Sequence, residues 1–312
     1  MPEGHTLHRL AGALDLAFAG TSPAVSSPQG RFLDGAARLN GREVLGADAW
    51  GKHLFVEFAG NVFLHVHLGL IGTFDVVPLA PLTTLTTSPL THPGYAIPPA
   101  IGAVRLRLLT GASEAWGSGA AYVADLRGAT LCELATPDRV DETVARLGPD
   151  PLREDADPEQ AWRRIAKSPR SIADLLMDQA VLAGVGNVYR SEILFRHRVD
   201  PQRPGRRLRP ATWRALWADL LLLMPIGVRL GQIVTMADQV DEALAGGYDE
   251  SAVPVSPTGV SAWRPNPQGA LERRYYVYKR QGEPCHVCGS RVRTALVAGR
   301  NLFWCGRCQR RG

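Results

Sequence analysis

The sequence feature that most restricts the fold of this chain is a set of paired cysteines. Their spacing is C-x2-C-x16-C-x2-C, formed by Cys285, Cys288, Cys305 and Cys308. Each C-x2-C pair presents two thiolates to one ion, and four thiolates complete a closed tetrahedral zinc site. A redox-active C-x2-C pair is the alternative, but two pairs at this spacing favour a metal. The sequence therefore predicts one structural Zn²⁺ held by these four side chains.

The segment between the two cysteine pairs is long enough to form a β-hairpin. Residues 291–297 (RVRTALV) and 302–304 (LFW) have the composition of strands, and 298–301 (AGRN) has that of a turn. Arg300 is therefore predicted at or beside the hairpin tip. A guanidinium there presents a planar fork of donors that suits phosphate oxygens. The alternative is an ordinary surface arginine.

Positive charge is concentrated around the same cysteines. Residues 275–312 contain eight Lys or Arg against one acid, Glu283, whereas the remaining residues carry 27 bases and 29 acids. The net charge of the whole chain is +5, and its pI is about 9.1. A basic C-terminal segment on an otherwise neutral chain indicates a polyanionic partner, nucleic acid first. Charge alone does not distinguish this from a tail that only increases solubility, which is the alternative.

The rest of the chain changes character in blocks. Residues 3–19 have apolar residues at helical spacing, residues 29–133 consist of short β-rich runs that suggest a sandwich or barrel-like sheet, and residues 136–232 are helical. Residues 79–102 read as an exposed Thr/Pro-rich loop, and residues 233–272 as a loop or flexible linker. We therefore predict the following domains: a β domain at 1–133, a helical domain at 134–232, a linker at 233–274 and a zinc module at 275–312.

The chain is expected to be cytoplasmic and nucleoid-associated, without a membrane partner. No run reaches the roughly 18 apolar residues that a membrane span needs, and the first 30 residues lack a basic leader with an apolar core. Paired cysteines without a secretory signal favour metal binding over disulfides. The fifth cysteine, Cys132, lies in the apolar context ATLCEL and is predicted to be a buried thiol.

A glycine-containing turn, AGVGN at 183–187, joins two helical patterns. Asn187 lies where an N-cap residue belongs, ahead of a helix that starts near Val188. The N–H groups at such a helix end can bind a phosphate, and helix-turn-helix units often bind the DNA backbone. An ordinary corner between two helices with a capping Asn would look the same.

The N-terminal sequence MPEG offers a nucleophile. Initiator Met is commonly removed before a residue as small as Pro, so we expect Pro2 to be the mature terminus. An α-amino group has a pKa of about 7.7–8, so part of it is neutral at neutral pH and can attack the anomeric carbon of a sugar. The iminium from a secondary amine favours elimination, and Glu3 could donate a proton to the ring oxygen as the sugar opens. The alternative is a plain helix start, with Pro and an acid in the first turn.

Separated motifs of the chain resemble the formamidopyrimidine-DNA glycosylase/endonuclease VIII family. They are MPEG at the terminus, AWGKHLF, AGVGNVYRSEILF, and YVYKRQGEPC with the four-Cys finger, in the family's order and over nearly the whole chain. The resemblance implies an α+β multidomain fold with an N-terminal β-sandwich flanked by helices, a helix–two-turn–helix domain and a C-terminal zinc-finger β-hairpin. It also implies an enzyme that excises oxidised bases and then cuts the strand.

The resemblance implies roles for the residues that match these motifs. Pro2 looks like the Schiff-base nucleophile, and Glu3 like the proton donor. Lys52, in WGKH, looks like the lysine that binds phosphate and assists β-elimination, although by itself it reads as an exposed lysine at a strand end. Asn187 is similar to the phosphate-binding asparagine of the helical turn, and Arg300 to the finger arginine that grips phosphates and is assigned to δ-elimination.

Two further DNA contacts follow from the resemblance. HLGLIG resembles the loop that supplies a wedge into the gap left by a flipped base, which indicates Leu70; a core strand residue is the alternative. ADLRGA resembles the family's DNA-contacting arginine segment, which indicates Arg127. His65 and His67 would face the same side of a strand. Because a third metal ligand is not evident there, structural roles are preferred over metal binding.

The function implied by the resemblance is that of a bifunctional DNA glycosylase and AP lyase, acting as a monomer on double-stranded DNA and nicking by β,δ-elimination. The start MPEG, rather than the MPELPE of formamidopyrimidine enzymes, is similar to the endonuclease VIII branch and implies oxidised pyrimidines and abasic sites. An 8-oxoguanine/formamidopyrimidine glycosylase is the runner-up. A non-catalytic DNA-binding protein of the same fold and a zinc-ribbon factor of transcription or the ribosome are the other classes.

Overall fold

The computed structural model describes residues 2–79, 91–92, 95–111, 121–245 and 271–310. By their contacts these residues divide into two units. The first holds Pro2 and the described part of Thr6–Val144. The second holds Glu3–His5 and the described parts of Ala145–Asp249 and Gln268–Gly312. Each unit has its own hydrophobic core.

Helix α1, Gly4–Phe18, forms where the sequence predicts an amphipathic helix. Its apolar side chains recur at helical spacing and are at most 5% exposed: Leu7, Leu10, Leu14 and Phe18. They belong to the core cluster of the first unit, which also contains residues from both of its sheets. Two shorter helices of the chain's first half are α2, Leu33–Leu39, and α3, Pro137–Ala145.

The core of the first unit lies between two antiparallel sheets. The strands of the first unit are β1 Ala24–Ser26, β2 Val44–Trp50, β3 His53–Phe58, β4 Val62–His67, β5 Thr73–Pro78, β6 Thr91–His92, β7 Tyr95–Ala96, β8 Val104–Leu109, β9 Tyr122–Arg127 and β10 Leu131–Ala135. All of them except β6 and β7 belong to the two sheets. One sheet has the order β10-β4-β3-β2 and the other β1-β8-β9-β5. Alternate residues point into the shared core, for example Leu54 and Val56 from one sheet and Leu106 and Leu108 from the other. This is the β-sandwich that the resemblance implies.

The β2–β3 turn and the loop after β4 lie at the same end of their sheet. β3 runs antiparallel to β4, and Leu54 near the start of β3 pairs with Val66 near the end of β4. Lys52, in the turn before β3, and Leu70, in the loop after β4, are therefore carried to one end of the sheet.

The second sheet brings loops together in the same way. Arg127, the last residue of β9, pairs with Thr73 at the start of β5 and with Val104 at the start of β8. The loops before β5, before β8 and after β9 therefore emerge from one end of this sheet. Since the loop before β5 is also the loop after β4, it joins the two sheets at that end.

The Thr/Pro-rich segment at 79–102, predicted as an exposed loop, is described only in part. Residues 80–90 and 93–94 lie outside the described residues. Within the rest, β6 and β7 pair as a short antiparallel ladder, and residues 98–102 are exposed.

The second unit contains helices α4 Pro158–Ile165, α5 Ile172–Leu175, α6 Asn187–Arg196, α7 Pro210–Leu230 and α8 Ala237–Ala245. Among the described helices, α7 is long and apolar enough to cross a membrane by length and composition. Half of its apolar window is buried inside the protein, and it contributes Trp213, Leu216 and Leu220 to the core of the unit. Burial in that core accounts for its composition.

The helix that the sequence predicts over SIADLLMDQAVL is much shorter in the structure. α5 ends at Leu175, and turns fill the chain up to α6. The side chain of Asp178 accepts from Ala180 N at 3.1 Å, and that of Gln179 accepts from Gly184 N at 3.0 Å. These bonds satisfy the backbone in turns and compete with a helix. The result is the helix–two-turn–helix arrangement that the resemblance implies.

The segment 233–274, predicted as a loop or linker, contains helix α8. This helix buries Val240 and Ala243 in the core of the second unit. Two apolar residues three positions apart make too short a period to indicate a helix from sequence. Residues 246–270 lie outside the described part of the chain.

The cysteine module forms the predicted hairpin, with β11 Arg293–Val297 antiparallel to β12 Arg300–Trp304. β12 begins two residues earlier than predicted, so the turn consists of Ala298 and Gly299. Their φ angles of 52° and 69° are those of a type I′ turn. Arg300 is the first residue after the turn and lies at the hairpin tip, as predicted.

The cysteine module shares a core with α6. Phe195 of α6 packs with Val277, Val292, Phe303, Cys285 and Cys305. Gln309, only 2% exposed, accepts from Cys305 N at 2.9 Å and donates to the carbonyl of Val199, just beyond α6, at 2.9 Å. The position of the hairpin is therefore tied to that of α6.

Candidate active site

The centre of the candidate site is the fully buried carboxylate of Glu3. Its Oε2 accepts from Gly186 N at 2.8 Å, its Oε1 accepts from Val188 N at 2.8 Å, and Tyr189 N lies 3.4 Å from Oε2. These N–H groups belong to the start of α6, where a helix leaves its donors without intrahelical partners and carries the positive end of its dipole. Glu3 therefore caps a helix that is distant in the sequence.

Glycines make this contact possible. A Cβ on Gly186 would lie 2.4 Å from Cδ of Glu3, and a Cβ on Gly4 would lie 2.7 Å from Cα of Gly184. Gly4 N also donates to Gly184 O at 2.7 Å, and Gly184 has a φ of 82° that other residues avoid. The glycines of MPEG and AGVGN are therefore required by the close approach of two distant segments.

Asn187 is the first residue of α6, and the prediction that it is the N-cap is wrong. Gly186 occupies the cap position and makes no side-chain capping bond. The amide of Asn187 instead donates to Asn301 O at 2.9 Å and accepts a short hydrogen bond from Arg190. The N–H groups that were predicted to bind a phosphate already donate to the buried carboxylate of Glu3.

Arg190 links the start of α6 to the hairpin, and the sequence analysis missed it. Its fully buried guanidinium donates to Asn187, to Ala173 O at 3.3 Å and to Val297 O at 3.3 Å. The pKa of Arg190 is lowered to about 10, chiefly by burial, with Glu3 and Asp174 opposing the shift and Arg300 adding to it. Since Val297 precedes the hairpin turn, Arg190 fixes the tip near Asn187. The sequence carries no local signal for this role, because a charged residue in a helical pattern is usually exposed to solvent.

Glu192, also missed, anchors the backbone of the YVYKR motif. Its Oε1 accepts from Val277 N and Tyr278 N at 2.9 Å each, and its Oε2 from Tyr276 N and Thr235 Oγ1 at 2.8 Å each. Burial raises the pKa of this carboxyl, while its donors oppose the rise. The segment that enters the cysteine module is thereby fixed to α6.

The predicted zinc ligands converge on one point. Their Sγ atoms all lie within 4.8 Å of one another, with 3.9 Å between Cys285 and Cys308 and 3.4 Å between Cys288 and Cys305. Thiolates about 2.3 Å from a tetrahedral zinc lie roughly 3.8 Å apart, so the spacing fits one ion. The module is a closed site for one structural zinc.

Lys52 lies in the turn of the β2–β3 hairpin. Trp50 pairs with His53, so Gly51 and Lys52 are the two turn residues. Gly51 has a φ of 60°, which suits the first central position of a type II′ turn. A turn this short leaves the backbone of Lys52 little freedom.

Histidines near Lys52 cluster on the face of the sheet opposite the core. His53 Nδ1 lies 2.9 Å from His65 Nε2, His65 Nδ1 lies 3.2 Å from Glu133 Oε1, and the rings of His53 and His67 are 5.2 Å apart. Burial first, and then the neighbouring His65, His67 and Lys52, lower the pKa of His53 to about 3. The imidazole is therefore neutral at neutral pH. Among the described residues, the cysteines are the group of potential ligands that converges on a metal position.

The loop at 68–72, called the wedge loop below, exposes aliphatic side chains. Leu70 is 48% exposed and Ile71 is 83% exposed, so the reading of Leu70 as a core strand residue is wrong. The sequence analysis passed over Ile71. It also passed over Ile101, which is 72% exposed in the loop before β8, at the same end of the sheet. Exposed apolar side chains gathered at one end suggest a partner surface.

Arg127 takes part in ion pairs at this end of the sheet. It donates to Asp75 at 2.9 Å and to Asp125 at 2.7 Å, and its Nε donates to Ile101 O at 3.0 Å. Arg107 forms a bidentate pair with Asp125, with both distances 2.7 Å. The guanidinium of Arg127 is thus engaged within its own unit, and its DNA contact stays a prediction.

The structure gathers the predicted residues into two groups. One surrounds the start of α6 in the second unit: Glu3, Asn187 and Arg300. The other lies at one end of the sandwich in the first unit: Lys52, Leu70 and Arg127. Pro2 belongs to the first unit and is joined to Glu3 by a peptide bond.

Family models match most of the chain. The formamidopyrimidine-DNA glycosylase N-terminal domain matches residues 1–113, and the formamidopyrimidine-DNA glycosylase H2TH domain matches residues 147–238. The zinc finger found in FPG and IleRS matches residues 282–311. The matched ranges follow the order of the β-sandwich, the helices and the cysteine module.

Curated relatives match this chain over all or most of their own length. Endonuclease 8 1 of Mycobacterium tuberculosis is 49% identical over 309 residues, which cover 99% of this chain and 100% of that protein. Formamidopyrimidine-DNA glycosylase of Thermus thermophilus is 32% identical over 278 residues, which cover 88% of this chain and 86% of that protein.

Solved structures share the fold. Lactococcus lactis Fpg in complex with DNA containing an abasic site has a TM-score of 0.68 at 19% identity, covering 99% of this chain and 100% of that one. The complex of wild-type Lactococcus lactis Fpg with DNA containing N7-benzyl-Fapy-dG has a TM-score of 0.70 at 20% identity, with the same coverage.

Replacing Gly186 with Ala is expected to destabilise the second unit by about 1–3 kcal/mol. The added Cβ would lie 2.4 Å from Cδ of Glu3 and would push the carboxylate away from the N–H groups of α6. Gly12→Ala is the matched control, because a Cβ there meets nothing within 4 Å and Ala in a helix gains up to about 1 kcal/mol over Gly. Calorimetric unfolding measures both, and equal transition temperatures for the two variants would contradict this account.

Removing the zinc is expected to unfold the hairpin and loosen α6, because both share one core. Cys288→Ser should therefore bind less than one zinc per chain and unfold at a lower temperature, as metal analysis and circular dichroism would measure. Cys132→Ser is the control: burial raises the pKa of that thiol to about 12, and it lies outside the cluster. Full zinc content in Cys288→Ser, or equal loss in both variants, would argue against the assigned ligands.

Proposed function

The chain belongs to the formamidopyrimidine-DNA glycosylase/endonuclease VIII family, and on this premise we propose that it is a bifunctional DNA glycosylase and AP lyase of base excision repair. The observation that carries the proposal is the buried Glu3 carboxylate, held by N–H groups of α6 and joined by one peptide bond to Pro2. The zinc module and the basic segment at 275–312 supply the means of binding DNA.

Pro2 is the proposed nucleophile once Met1 has been removed. Its neutral nitrogen attacks C1′ of the damaged nucleotide, and the bond between C1′ and the base breaks, so that the base leaves with the bonding electron pair and takes up a proton from water. The sugar ring then opens as the C1′–O4′ bond breaks, which leaves an iminium between the proline nitrogen and C1′. The positive charge acidifies C2′, so loss of a C2′ proton expels the 3′-phosphate, and a second elimination expels the 5′-phosphate.

Glu3 is proposed to transfer the proton that these reaction steps require. In the resting site the helix dipole and the N–H donors favour its carboxylate form. When the Pro2 nitrogen bonds to C1′ it must lose its proton, and the adjoining carboxylate can accept it. Glu3 then donates this proton to O4′ as the ring opens, and the same N–H groups stabilise the carboxylate that is restored.

Lys52, Asn187 and Arg300 are proposed to hold the DNA backbone. Arg300 is fixed at the tip of a zinc-bound hairpin, and Asn187 is bonded to that hairpin through Asn301 O. Lys52 leaves the sheet from a tight turn. In addition, Lys52 is proposed to assist β-elimination and Arg300 to assist δ-elimination.

Leu70 is proposed to fill the gap left when the damaged base is rotated out of the duplex, with Ile71 beside it. Extrusion costs a few kcal/mol, less at a damaged pair, and apolar side chains inserted between base steps stabilise the opened duplex. The 48% and 83% exposed fractions of these side chains support the assignment. Arg127 remains a proposed DNA contact.

The proposed substrates are oxidised pyrimidines and abasic sites in double-stranded DNA, acted on by a cytoplasmic, nucleoid-associated monomer. The MPEG start and the 49% identity with Endonuclease 8 1 support this choice. Oxidised purines are the second candidate, favoured by the 32% identity with a formamidopyrimidine-DNA glycosylase.

Borohydride reduction on DNA with an abasic site is expected to trap the protein covalently through Pro2, because reduction fixes the iminium. An extra residue ahead of Pro2, or Pro2→Gly, should lower strand cleavage by on the order of a thousandfold or more, while duplex affinity persists. Gel shift, cleavage assay and mass spectrometry of the adduct measure these effects. Gly12→Ala is the control, because this variant carries a substitution but keeps the N-terminus intact and should cleave at the wild-type rate. Cleavage at full rate by the extended protein would rule out Pro2, and an absence of any adduct would indicate a non-catalytic DNA-binding protein.

A panel of duplexes, each with one defined lesion, tests the substrate class. Oxidised pyrimidines are expected to be excised with a higher kcat/KM than 8-oxoguanine. Abasic sites are expected to be cleaved by any protein sample that is active. Preformed abasic sites serve as the internal control, because their cleavage needs no base recognition. Activity restricted to 8-oxoguanine opposite cytosine would reject the pyrimidine assignment and favour the second candidate.

A further inference from the structure

A row of hydrogen-bonded side chains crosses the face of the sheet β10-β4-β3-β2 that is opposite the core. Glu133 of the edge strand β10 pairs with His65 of β4, and His65 pairs with Phe55 of β3. His65 Nδ1 lies 3.2 Å from Glu133 Oε1, and His65 Nε2 lies 2.9 Å from His53 Nδ1. His53 directly follows the turn that carries Lys52. The row therefore connects the edge of the sheet to the lysine proposed to assist β-elimination.

The carboxylate at the end of this row fixes the position of each proton along it. Burial is the main cause that lowers the pKa of His65 and of His53, so both rings are neutral at neutral pH. A neutral imidazole has one N–H donor and one acceptor nitrogen, and a carboxylate only accepts. His65 Nδ1 therefore carries the proton that faces Glu133, and His65 Nε2 accepts from His53 Nδ1. This leaves Nε2 as the acceptor nitrogen of His53.

His67, whose ring centroid lies 5.2 Å from that of His53, has the opposite tautomer. Its Nδ1 accepts from Gly69 N at 3.1 Å, because a backbone N–H can only donate. Thr130 Oγ1 lies 3.1 Å from the same nitrogen and donates its own hydrogen to His67 O at 3.0 Å. Nε2 of His67 therefore carries the proton. The hydrogen bonds thus assign one tautomer to each of the three histidines.

The tautomer of His53 matters because of the lysine that precedes it. The ammonium of Lys52 has three donors and no acceptor. A lone pair on His53 Nε2 can accept from this ammonium, whereas an N–H at that position would oppose one donor with another. The charge of Lys52 contributes, after burial, to the lowered pKa of both His53 and His67, which agrees with a position beside both rings. The state of His53 therefore decides whether its ring attracts or repels the lysine.

We propose that Glu133 and His65 are positioning residues that hold His53 in its Nδ1–H tautomer. The lone pair on His53 Nε2 then orients the ammonium of Lys52 for β-elimination. The inference rests on the proposed function, because it assumes that Lys52 assists this step. It assigns to the histidine row a role in strand cleavage, separate from the formation of the iminium on Pro2.

The tautomers are tested by long-range ¹H–¹⁵N correlation NMR spectra of the full chain with ¹⁵N-labelled histidine, because protonated and unprotonated ring nitrogens differ in chemical shift. At neutral pH His53 and His65 are expected to show Nδ1–H signals, and His67 an Nε2–H signal. Glu133→Leu should convert His53 to a mixture of tautomers. Glu133→Gln should preserve the wild-type pattern, because the amide oxygen still accepts from His65 Nδ1. An Nε2–H signal for His53 in the wild-type protein would overturn the inference.

The effect on the reaction is tested by single-turnover cleavage of a duplex with a preformed abasic site. His65→Phe keeps a ring that can stack on Phe55, as the imidazole does with centroids 4.5 Å apart, but it has no nitrogen. Cleavage is expected to slow roughly tenfold, within the hundredfold that misplacement of a reacting group can cost. Borohydride trapping and affinity for a non-cleavable abasic analogue should be unchanged, because both precede elimination. His65→Gln should restore most of the rate, since its amide donates towards Glu133 and accepts from His53.

Glu57→Leu is the matched control for Glu133→Leu, because Glu57 lies on the same face of β3, at the end that pairs with Phe63 and away from Lys52. Glu133→Leu should slow cleavage, and Glu57→Leu should cleave at the wild-type rate. Wild-type cleavage by His65→Phe, or equal rates for the two Leu variants, would overturn the inference. An equal loss of trapping and cleavage in His65→Phe would also overturn it, since that indicates general damage to the fold. If the wild-type protein forms no adduct on abasic DNA, the proposed function fails and the inference with it.

Discussion

The contact on which the site depends is a carboxylate from the start of the chain held at the N-terminus of a helix distant in sequence. Chain termini are often poorly ordered, and a nucleophile on a mobile terminus would lose the advantage of fixed orientation. Glu3 removes that freedom, because its oxygens accept from the backbone of Gly186 and Val188 at 2.8 Å. One interaction thus orders the residue next to Pro2 and satisfies helix donors that would otherwise be buried without partners.

Further side chains along α6 also bond to segments that are distant in the sequence. Successive charged residues connect it to other parts of the second unit: Arg190 to the strand before the hairpin turn, and Glu192 to the backbone at 276–278. Phe195, one turn further, enters the core of the cysteine module. Buried charges are costly unless they are fully paired. Here both oxygens of Glu192 and both Nη atoms of Arg190 are bonded, and these bonds specify where the hairpin lies relative to the start of the helix, and so set Arg300 near Asn187.

Local patterns predicted the parts of this fold that local chemistry decides. The cysteine spacing indicated the zinc site, short β-rich runs indicated the strands, and α1 followed from its helical period. The Glu3 contact could not be predicted, because neither MPEG nor AGVGN shows that the two segments meet. For the same reason Asn187 was assigned as a cap. Arg190 and Glu192 were missed because sequence does not reveal whether a charge is buried.

Some of the described arginines differ in how their charge is compensated. Arg107, Arg127 and Arg196 pair with aspartates of their own units at 2.6–2.9 Å. At the hairpin tip, by contrast, Arg300 donates to a backbone carbonyl, Gly299 O, at 3.2 Å, and the nearby cation is Arg190, whose pKa it lowers. The carboxylates of Glu3 and Asp174 act on Arg190 in the opposite direction and raise its pKa. The Arg300 guanidinium is thus bonded to a backbone carbonyl at the hairpin tip, and this arrangement supports the proposal that it contacts a DNA phosphate.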